Sequence, residues 1–326
     1  MTRIKVNDMT GPMPLDQIFA VRSKELRTTR NGDPFINAEL GDSTGSLAAR
    51  MWQATQAVFD NVPLGGLLHV KGRVEDYRGT MQIVIDACHP VDNSAADLSE
   101  FMPTSPFDIE EMFTELVETL REVKNRPLRM LIKKFLEDHE LIGEFKIAPA
   151  AAKMHQAYRG GLLEHTLNML RAAKVLIPLY PRLNSDLILT AVFLHDIAKC
   201  RELSGGLSIH YTEAGQLLGH ITMASVWIDE KVKLIEEETS TKFPTRTQNL
   251  LTHIVLSHHG LLEYGSPKLP AVAEALFLHY IDNLDAKMWM IANAVDSDPD
   301  ETSAFTSYIR PLETRIFKHT QDLDNE

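Results

Sequence analysis

Cysteine is scarce in this sequence: the 326 residues include only Cys88 and Cys200, which lie far apart and outside any CxxC pattern. Two such residues argue against a disulfide framework and against a cysteine-based zinc site, and they fit a reducing compartment. No apolar run reaches the roughly 18 residues that a membrane-spanning helix requires. The first ten residues are polar and lack a signal-peptide core. We therefore expect a cytoplasmic protein that does not associate with membranes.

Positive charge is also in deficit, since 33 Lys and Arg residues stand against 45 Asp and Glu residues, a net charge of −12. This balance argues against binding of nucleic acid by bulk electrostatic attraction. The acidity is uneven: residues 1–92 contain 10 basic and 11 acidic residues, and the remainder contains 23 and 34. A polymer bound to the first part would therefore depend on stacking and local cations. In the second part, divalent cations would offset some of the charge.

The first 92 residues have the pattern of a small β-barrel. Short segments with alternating apolar residues are separated by turn residues, and they predict strands at 17–25, 34–42, 47–52, 66–76 and 79–87. A helical stretch at 55–59 falls between the third and fourth strands, which is the order of an OB-fold. SH3-like barrels produce similar patterns, so that alternative stays open.

From Asp108 onward the apolar period is helical. Residues 93–107, which are small and polar and include Pro103 and Pro106, are predicted to be a linker. Asp108 has the position of an N-cap. Helices are predicted at residues 108–123, 127–138, 161–177, 185–199, 212–238, 246–259 and 270–294. The sequence thus predicts a multidomain protein, with an all-β barrel at 1–92, an all-α bundle at 108–317 and a polar tail at 318–326.

Ten of the 13 histidines lie beyond residue 150, and several of them are in apolar segments. His165 is at the edge of an apolar helix face, and His195-Asp196 interrupts an almost wholly apolar segment. A buried ionised carboxylate is costly unless it is paired or bound to a metal. The remaining candidates, which also lie in or next to apolar segments, are His220, His258, His259 and Asp282. Any one of these histidines alone is better interpreted as a hydrogen-bonded core residue, but one metal centre would satisfy the whole set.

These residues resemble a known signature. His165, His195-Asp196 and Asp282 resemble the H…HD…D pattern of the HD metal-dependent phosphohydrolases. Longer segments are similar to the YhaM-type 3′→5′ exoribonucleases, which join an OB-fold to an HD domain. The segments are 158–170 (YRGGLLEHTLNML), 194–204 (LHDIAKCRELS), 211–220 (YTEAGQLLGH), 256–260 (LSHHG) and 264–287 (YGSPKLPAVAEALFLHYIDNLDAK). The similarity covers essentially the whole chain and is strongest over 150–290.

The resemblance implies a metal-dependent phosphodiesterase that degrades single-stranded RNA from its 3′ end to nucleoside monophosphates, with single-stranded DNA as a further candidate substrate. It also implies one or two divalent ions. The ligands of the first would be His165, His195, Asp196 and Asp282. Asp196 would bridge to a second ion, held by His220 and by His258, His259 or both. Mn²⁺ is expected from the family, with Fe²⁺, Co²⁺ and Zn²⁺ as alternatives, because His/Asp ligands suit these ions better than Mg²⁺.

Other residues near these ligands are expected to act in catalysis alongside Asp196. Lys199 follows His-Asp by one turn and would neutralise charge on the scissile phosphate; the alternative is a surface lysine paired with Glu202. His155 and Arg159 precede the first ligand helix and would contact phosphate or the leaving oxygen, although a structural role is an equal alternative. Asp285 would either support the ligands or be a surface charge.

The barrel offers candidates for contact with nucleic acid. Those for base stacking are Phe35, Trp52 and Tyr77, and those for the phosphate backbone are Arg50, Lys71, Arg73 and Arg78. Each aromatic residue is also a candidate for the barrel core. Tyr77-Arg78 is the strongest pair, because it falls at a predicted hairpin tip.

Two other functions are compatible with the sequence. One is an HD phosphohydrolase of small nucleotides, with the barrel used for assembly or regulation, and the other is a non-catalytic nucleic-acid-binding factor. An OB-fold has little use for a mononucleotide substrate, and a protein without catalysis has no need for buried carboxylates. No HExxH or P-loop motif offers a competing chemistry. Homo-oligomerisation is left open.

Overall fold

A closed five-stranded β-barrel forms the N-terminal part of the computed structural model, which describes residues 3–318 except 30, 78, 153–154, 299 and 301. The strands are β1 (Met13–Thr28), β2 (Pro34–Gly41), β3 (Ser46–Trp52), β4 (Leu67–Tyr77) and β5 (Thr80–Val91). They close in the order β1-β2-β3-β5-β4, with β3 and β5 parallel and the other neighbours antiparallel. Helix α1 (Gln56–Asn61) lies between β3 and β4. The predicted OB-fold is confirmed.

Apolar side chains at alternate positions along the strands fill the interior of the barrel. Phe19 and Leu40 are fully buried, and Val70 and Val74 point into the same core from β4. Gly72 lies between these two valines, opposite β5. A Cβ atom there would lie 2.0 Å from the carbonyl oxygen of Val84, so only glycine permits this close approach of the strands.

From Ile109 to Asp296 the described chain is mainly helical and has one large apolar core. The helices are α2 (Ile109–Leu120), α3 (Arg126–Leu136), α4 (His139–Ile147), α5 (Gly161–Leu176), α6 (Ser185–Leu194), α7 (Lys199–Glu202), α8 (Glu213–Thr239), α9 (Thr245–Ser257) and α10 (Ala273–Asp296). Asp108 caps α2 as predicted, since its side chain accepts hydrogen bonds from the backbone of Glu110 and Glu111. None of the helices described has the length and apolarity needed to cross a membrane.

The structure differs from the sequence-based prediction in three helices, one of which is the short helix α7, not predicted as a separate helix. The nine-residue helix α4 was not predicted, because it is short and its apolar positions are few; Asp138 caps it. The helix predicted to reach residue 199 ends at Leu194. Successive residues of a continuous helix point about 100° apart. Ending the helix here allows both His195 and Asp196 to point at one centre.

The segment between barrel and bundle is partly buried. It forms two short 3-10 turns, Asn93–Ala95 and Leu98–Glu100. Phe101, 2% exposed, packs with Ala20 of the barrel and with Leu207 of the bundle. The Ser105 hydroxyl donates a hydrogen bond to Glu164 on α5. The predicted linker therefore helps to attach the barrel to the helical part.

Candidate metal centre

Four histidines surround the carboxylate of Asp196. The Nε2 atoms of His220 and His258 lie 3.2 and 3.5 Å from Asp196 Oδ1. Those of His195 and His165 lie 3.3 and 3.8 Å from Oδ2. All five side chains are buried. The residues are far apart in sequence and come from α5, the ends of α6 and α9, and α8, so packing of the helices brings them together.

A break in α8 orients His220. Gly219 has φ 71° and ψ 152°, which interrupts the helix immediately before the histidine. The backbone N–H of His220 donates to Glu202 Oε1 at 2.9 Å, and its Nδ1 lies 2.9 Å from both carboxylate oxygens of Glu202. Glu202 therefore holds the ring with Nε2 facing Asp196.

Each of the other three rings is also held through its Nδ1 atom. His195 Nδ1 donates to the carbonyl of Val192 (2.8 Å), His258 Nδ1 to that of Val255 (2.7 Å), and His165 Nδ1 to Asp285 Oδ2 (2.7 Å). A neutral histidine that donates from Nδ1 has its lone pair on Nε2, which is the arrangement found in metal ligands.

The atoms that face the centre have no hydrogen-bond partner among the described residues. They are the Nε2 atoms of the four histidines and Asp196 Oδ1, which are buried and lie close to one another. Buried polar atoms left unpaired are costly and rare. One or two divalent cations would satisfy all of them, and nitrogen and carboxylate oxygen suit such ions. The residues present therefore fit the metal that the sequence predicts.

Two groups of potential ligand atoms are compact enough to hold an ion, each within 4.8 Å. The first contains His165, His195 and Asp282, and the second contains His220, His258 and His259. Asp282 Oδ1 lies 3.3 Å from His165 Nε2. His259 donates from Nδ1 to the carbonyl of Tyr264 at 2.6 Å. Both adjacent histidines of the predicted pair thus belong to the second group.

Neighbouring charges and burial shift the pKa values of the residues in the cluster. Burial opposes ionisation of Asp196, but Lys199 and His195 hold the pKa of that carboxyl well below its usual range. Burial also disfavours a charged His165, yet Asp282 and Asp285 outweigh it and raise the pKa of His165 to about 9. A cation that binds His165 Nε2 would therefore displace a proton.

The predicted catalytic residues differ in their distance from this cluster. Lys199 Nζ lies 2.7 Å from Asp196 Oδ2, and its ion pair is with Asp196 rather than Glu202. The ring of His155 is 5.2 Å from that of His165. Burial, with a smaller effect of Lys199, lowers the pKa of His155 to about 4. Arg159 is exposed, and its backbone pairs with Pro103 and Ser105; within the described residues its side chain has no contact with the cluster.

Some residues that hold the ligands in place were not predicted from the sequence, and the role of another was left open. Glu202 was considered only as a partner for Lys199, and Gln156 was not singled out. Gln156 accepts from His155 Nδ1 (2.9 Å) and donates to Asp285 (3.0 Å), which binds His165. The side chain of Asp285 holds His165, a candidate ligand, and is not a free surface charge. Its spacing of three residues from Asp282 was a usable signal, since such residues share a helix face.

An aromatic and cationic cluster lies on the barrel. The rings of Phe35 and Trp52 are 5.1 Å apart. The Arg50 guanidinium lies 5.9 Å from the ring of Trp52 and 5.2 Å from that of Tyr77. Trp52 and Tyr77 are 45% and 46% exposed, so they are not core residues. Strands β2 and β3 and the β4–β5 loop form the usual oligonucleotide-binding face of an OB-fold.

The other basic candidates of the barrel are separate from this cluster. Lys71 pairs with Asp16 at 3.5 Å. Arg73 pairs with Asp86 at 3.2 Å and with Glu75 at 3.6 Å. Arg78 falls outside the described residues. The structure thus brings together four of the seven predicted nucleic-acid contacts.

Comparison with known proteins identifies the two parts of the chain and its relatives. The HD domain family matches residues 162–287, and an OB-fold nucleic acid binding domain family matches residues 19–91. The chain is 37% identical over 305 residues to the 3'-5' exoribonuclease YhaM of Bacillus subtilis (strain 168), covering 93% of this chain and 94% of that protein. The proteins of the same name in Bacillus velezensis and Shouchella clausii are 38% and 36% identical, with 93% of this chain covered and 94% and 92% of theirs.

Proposed function

The chain belongs to the YhaM family of 3'-5' exoribonucleases, and on this premise we propose that it degrades single-stranded RNA from the 3′ end to nucleoside monophosphates. The observation that carries the proposal is the set of unpaired, buried imidazole nitrogens around Asp196. An HD domain implies a divalent metal ion, and this set is suited to bind one. The OB-fold supports a single-stranded nucleic acid as the substrate.

The ligand geometry supports two ions, with Asp196 between them. Its Oδ2 faces the group of His165, His195 and Asp282, and its Oδ1 faces His220 and His258. Mn²⁺ is our choice because the ligands combine imidazole and carboxylate, and Fe²⁺, Co²⁺ and Zn²⁺ are alternatives. When bound, such ions make hydroxide available near neutral pH and neutralise charge on the phosphate.

The protein's own side chains would bind and orient the substrate. Lys199 is next to Asp196 and lines the cavity that leads to the cluster, so its ammonium would contact the scissile phosphate. His155 is neutral and donates from Nδ1 to Gln156, which leaves Nε2 to accept a hydrogen bond from a substrate hydroxyl. Arg159 is exposed and would reach a phosphate farther along the strand.

The barrel would bind the single strand upstream of the reacting end. Trp52 and Tyr77 expose aromatic surface on which bases can stack, and Arg50 lies between them. Stacking tolerates any base, so this surface would bind RNA without strong sequence preference. Binding by stacking also fits the near-neutral charge of the barrel, which gives little electrostatic attraction for RNA.

A cleavage assay with Mn²⁺ and single-stranded RNA labelled at its 5′ end tests the proposal. A ladder of products shortened from the 3′ end is expected, and a parallel reaction with single-stranded DNA measures the sugar preference. Hydrolysis of mononucleotides alone would indicate a small-nucleotide phosphohydrolase. Binding without any cleavage would indicate a non-catalytic factor.

A pair of variants connects the activity to the cluster. Asp196→Ala is expected to abolish the ladder and lower the bound Mn²⁺ while leaving the helical circular dichroism largely unchanged. Asp60→Ala, at an exposed position on α1, is the control and should retain both properties. Cleavage at the wild-type rate by Asp196→Ala would exclude this carboxylate from the reaction.

Two further expectations are retained as predictions. Both cysteines are free, which is consistent with the cytoplasmic location expected from the sequence. Homo-oligomerisation can be decided by light scattering on the purified chain.

A further inference from the structure

A cavity of about 820 Å³ lies between the barrel and the helical bundle. On the barrel side it is lined by Arg22, Ser23, Lys24 and Leu64. On the other side it reaches Lys199, His220 and His259, at the edge of the candidate metal centre. Its volume is within the range of sites that enclose small ligands, about 300–1,000 Å³. Any ligand in this cavity would therefore contact both domains and lie next to the cluster.

The charge of the cavity wall favours an anion. Arg22, Lys24 and Lys199 line it, and Glu202, which is engaged by His220, is the only carboxylate among the described lining residues. Lys199 is paired with Asp196, so the cationic character of the wall comes mainly from Arg22 and Lys24. Lys24 donates to the carbonyl oxygen of Phe59 (2.7 Å) and lies over its ring, so neither contact neutralises its charge. A basic cavity in a chain of net charge −12 would attract phosphate groups locally.

One wall of the cavity is a loop, residues 203–211, that is fixed at its base and at its tip. At the base Leu203 pairs with Tyr211, and the N–H of Ser204 donates to the carbonyl of His210 at 2.8 Å. At the tip Leu207 is 3% exposed against barrel residues, and the Ser208 hydroxyl donates to the carbonyl of Arg22 at 2.8 Å. The loop is thus held in one position relative to both domains.

Tyr211 ends this loop and has a side chain that is 47% exposed. It is the one Phe, Tyr or Trp residue among the described residues that line the cavity. The ring is attached to a fixed backbone, so stacking on it would require little further ordering. A nucleotide offers two features that match this wall: a phosphate for the lysines and a base for the ring.

We propose that this cavity binds the 3′-terminal nucleotides of the RNA and that Tyr211 stacks on one of their bases. The inference rests on the proposed exoribonuclease function and adds a positioning residue to it. Stacking would hold the end of an unpaired strand beside the metal centre. It would also explain acceptance of any base, since all bases have a stacking face.

Steady-state cleavage by the full chain with Mn²⁺ tests the inference. Wild type, Tyr211→Ala, Tyr211→Phe and Tyr308→Ala are compared, the last being an exposed tyrosine outside the cavity. Two substrates are used: a single-stranded RNA, and the same RNA with abasic riboses at its last two positions. Calorimetric titration of each variant with Mn²⁺ measures whether the metal centre is intact.

We expect Tyr211→Ala to raise KM on the normal RNA by roughly 5- to 150-fold, the effect of losing one aromatic–base stack. Tyr211→Phe and Tyr308→Ala should behave as wild type, and all variants should bind Mn²⁺ equally. On the first cleavage of the abasic RNA, Tyr211→Ala and wild type should have the same KM.

An unchanged KM for Tyr211→Ala on normal RNA would overturn the inference while leaving the exoribonuclease function intact. An equal rise in KM on both substrates for Tyr211→Ala would also overturn the inference, because the effect would not depend on a base. Failure of the wild type to shorten any RNA would instead refute the proposed function, and the inference with it.

Discussion

Gly219 is the position where a single methyl group should damage the candidate metal centre without touching a ligand. Its φ of 71° and ψ of 152° interrupt α8. The N–H of the next residue, His220, leaves the helical pattern and donates to Glu202. We predict that Gly219→Ala destabilises the protein and weakens Mn²⁺ binding, because an L-residue resists this backbone conformation.

The size of the effect follows from the surroundings of Gly219. A Cβ atom there would meet only Glu202 Oε1, at 3.8 Å, which is an ordinary contact. The cost is therefore backbone strain, which is about 1–3 kcal/mol for a non-glycine residue in this region. For a helical part of this size, 1 kcal/mol corresponds to a change in Tm of roughly 2–4 °C. A fall in Tm of about 2–12 °C is expected.

Thermal unfolding in EDTA measures this strain separately from metal binding, and titration calorimetry then measures the Mn²⁺ affinity. Gly143→Ala is the matched control, because Gly143 is an exposed residue of α4 with nothing within 4 Å of an added Cβ. Alanine is the better helix former, so this control should gain about 0.5–1 kcal/mol. If Gly219→Ala melted at or above the wild-type temperature, the break in α8 would not be a requirement of the site.

Three further predictions concern other parts of the molecule. Asp285→Ala removes the acceptor of His165 Nδ1 and should weaken Mn²⁺ binding about 10- to 100-fold by calorimetry. Asp296→Ala, at the end of the same helix, should bind Mn²⁺ like the wild type, and equal Mn²⁺ affinities of the two variants would contradict the supporting role of Asp285. Tyr77→Ala should weaken RNA binding by about 1–3 kcal/mol, measured by fluorescence anisotropy, and Tyr180→Ala, at another exposed tyrosine, should have no effect. An unchanged RNA affinity of Tyr77→Ala would remove Tyr77 from the stacking surface. Burial raises the pKa of Cys200 to about 12, so iodoacetamide at pH 8 should modify this thiol slowly until the protein is denatured. Equal rates of Cys200 modification before and after denaturation would disprove this protection.

Much of the fold could be predicted from local patterns. Alternation of apolar residues identified the five strands, and the helix between the third and fourth strands favoured the OB-fold order, with an SH3-like barrel as the alternative that the structure then excluded. Asp108 was identified as a cap because capping depends on the residue itself and on the next few amides. By contrast, α4 is short and has a weak apolar pattern, so its formation depends on packing against neighbouring helices.

The candidate ligands were also visible as local anomalies. Asp196 and Asp282 are carboxylates within apolar runs, and desolvation makes such positions expensive unless something compensates the charge. The resemblance to HD phosphohydrolases then grouped them with the histidines. No pattern in the chain could show that the Nε2 atoms are unpaired, because that depends on the orientation of each ring.

The sequence by itself determined the five strands, most of the helices and which polar residues must lie inside, since these follow from periodicity and from the cost of burying charge. Only the tertiary structure decided how those residues meet. Glu202 binds His220 across 18 positions, and Asp285 binds His165 across 120. The docking of Leu207 on the barrel likewise joins residues that are remote in sequence. Such contacts depend on where helices end and how they cross, and these are properties of the packed chain as a whole.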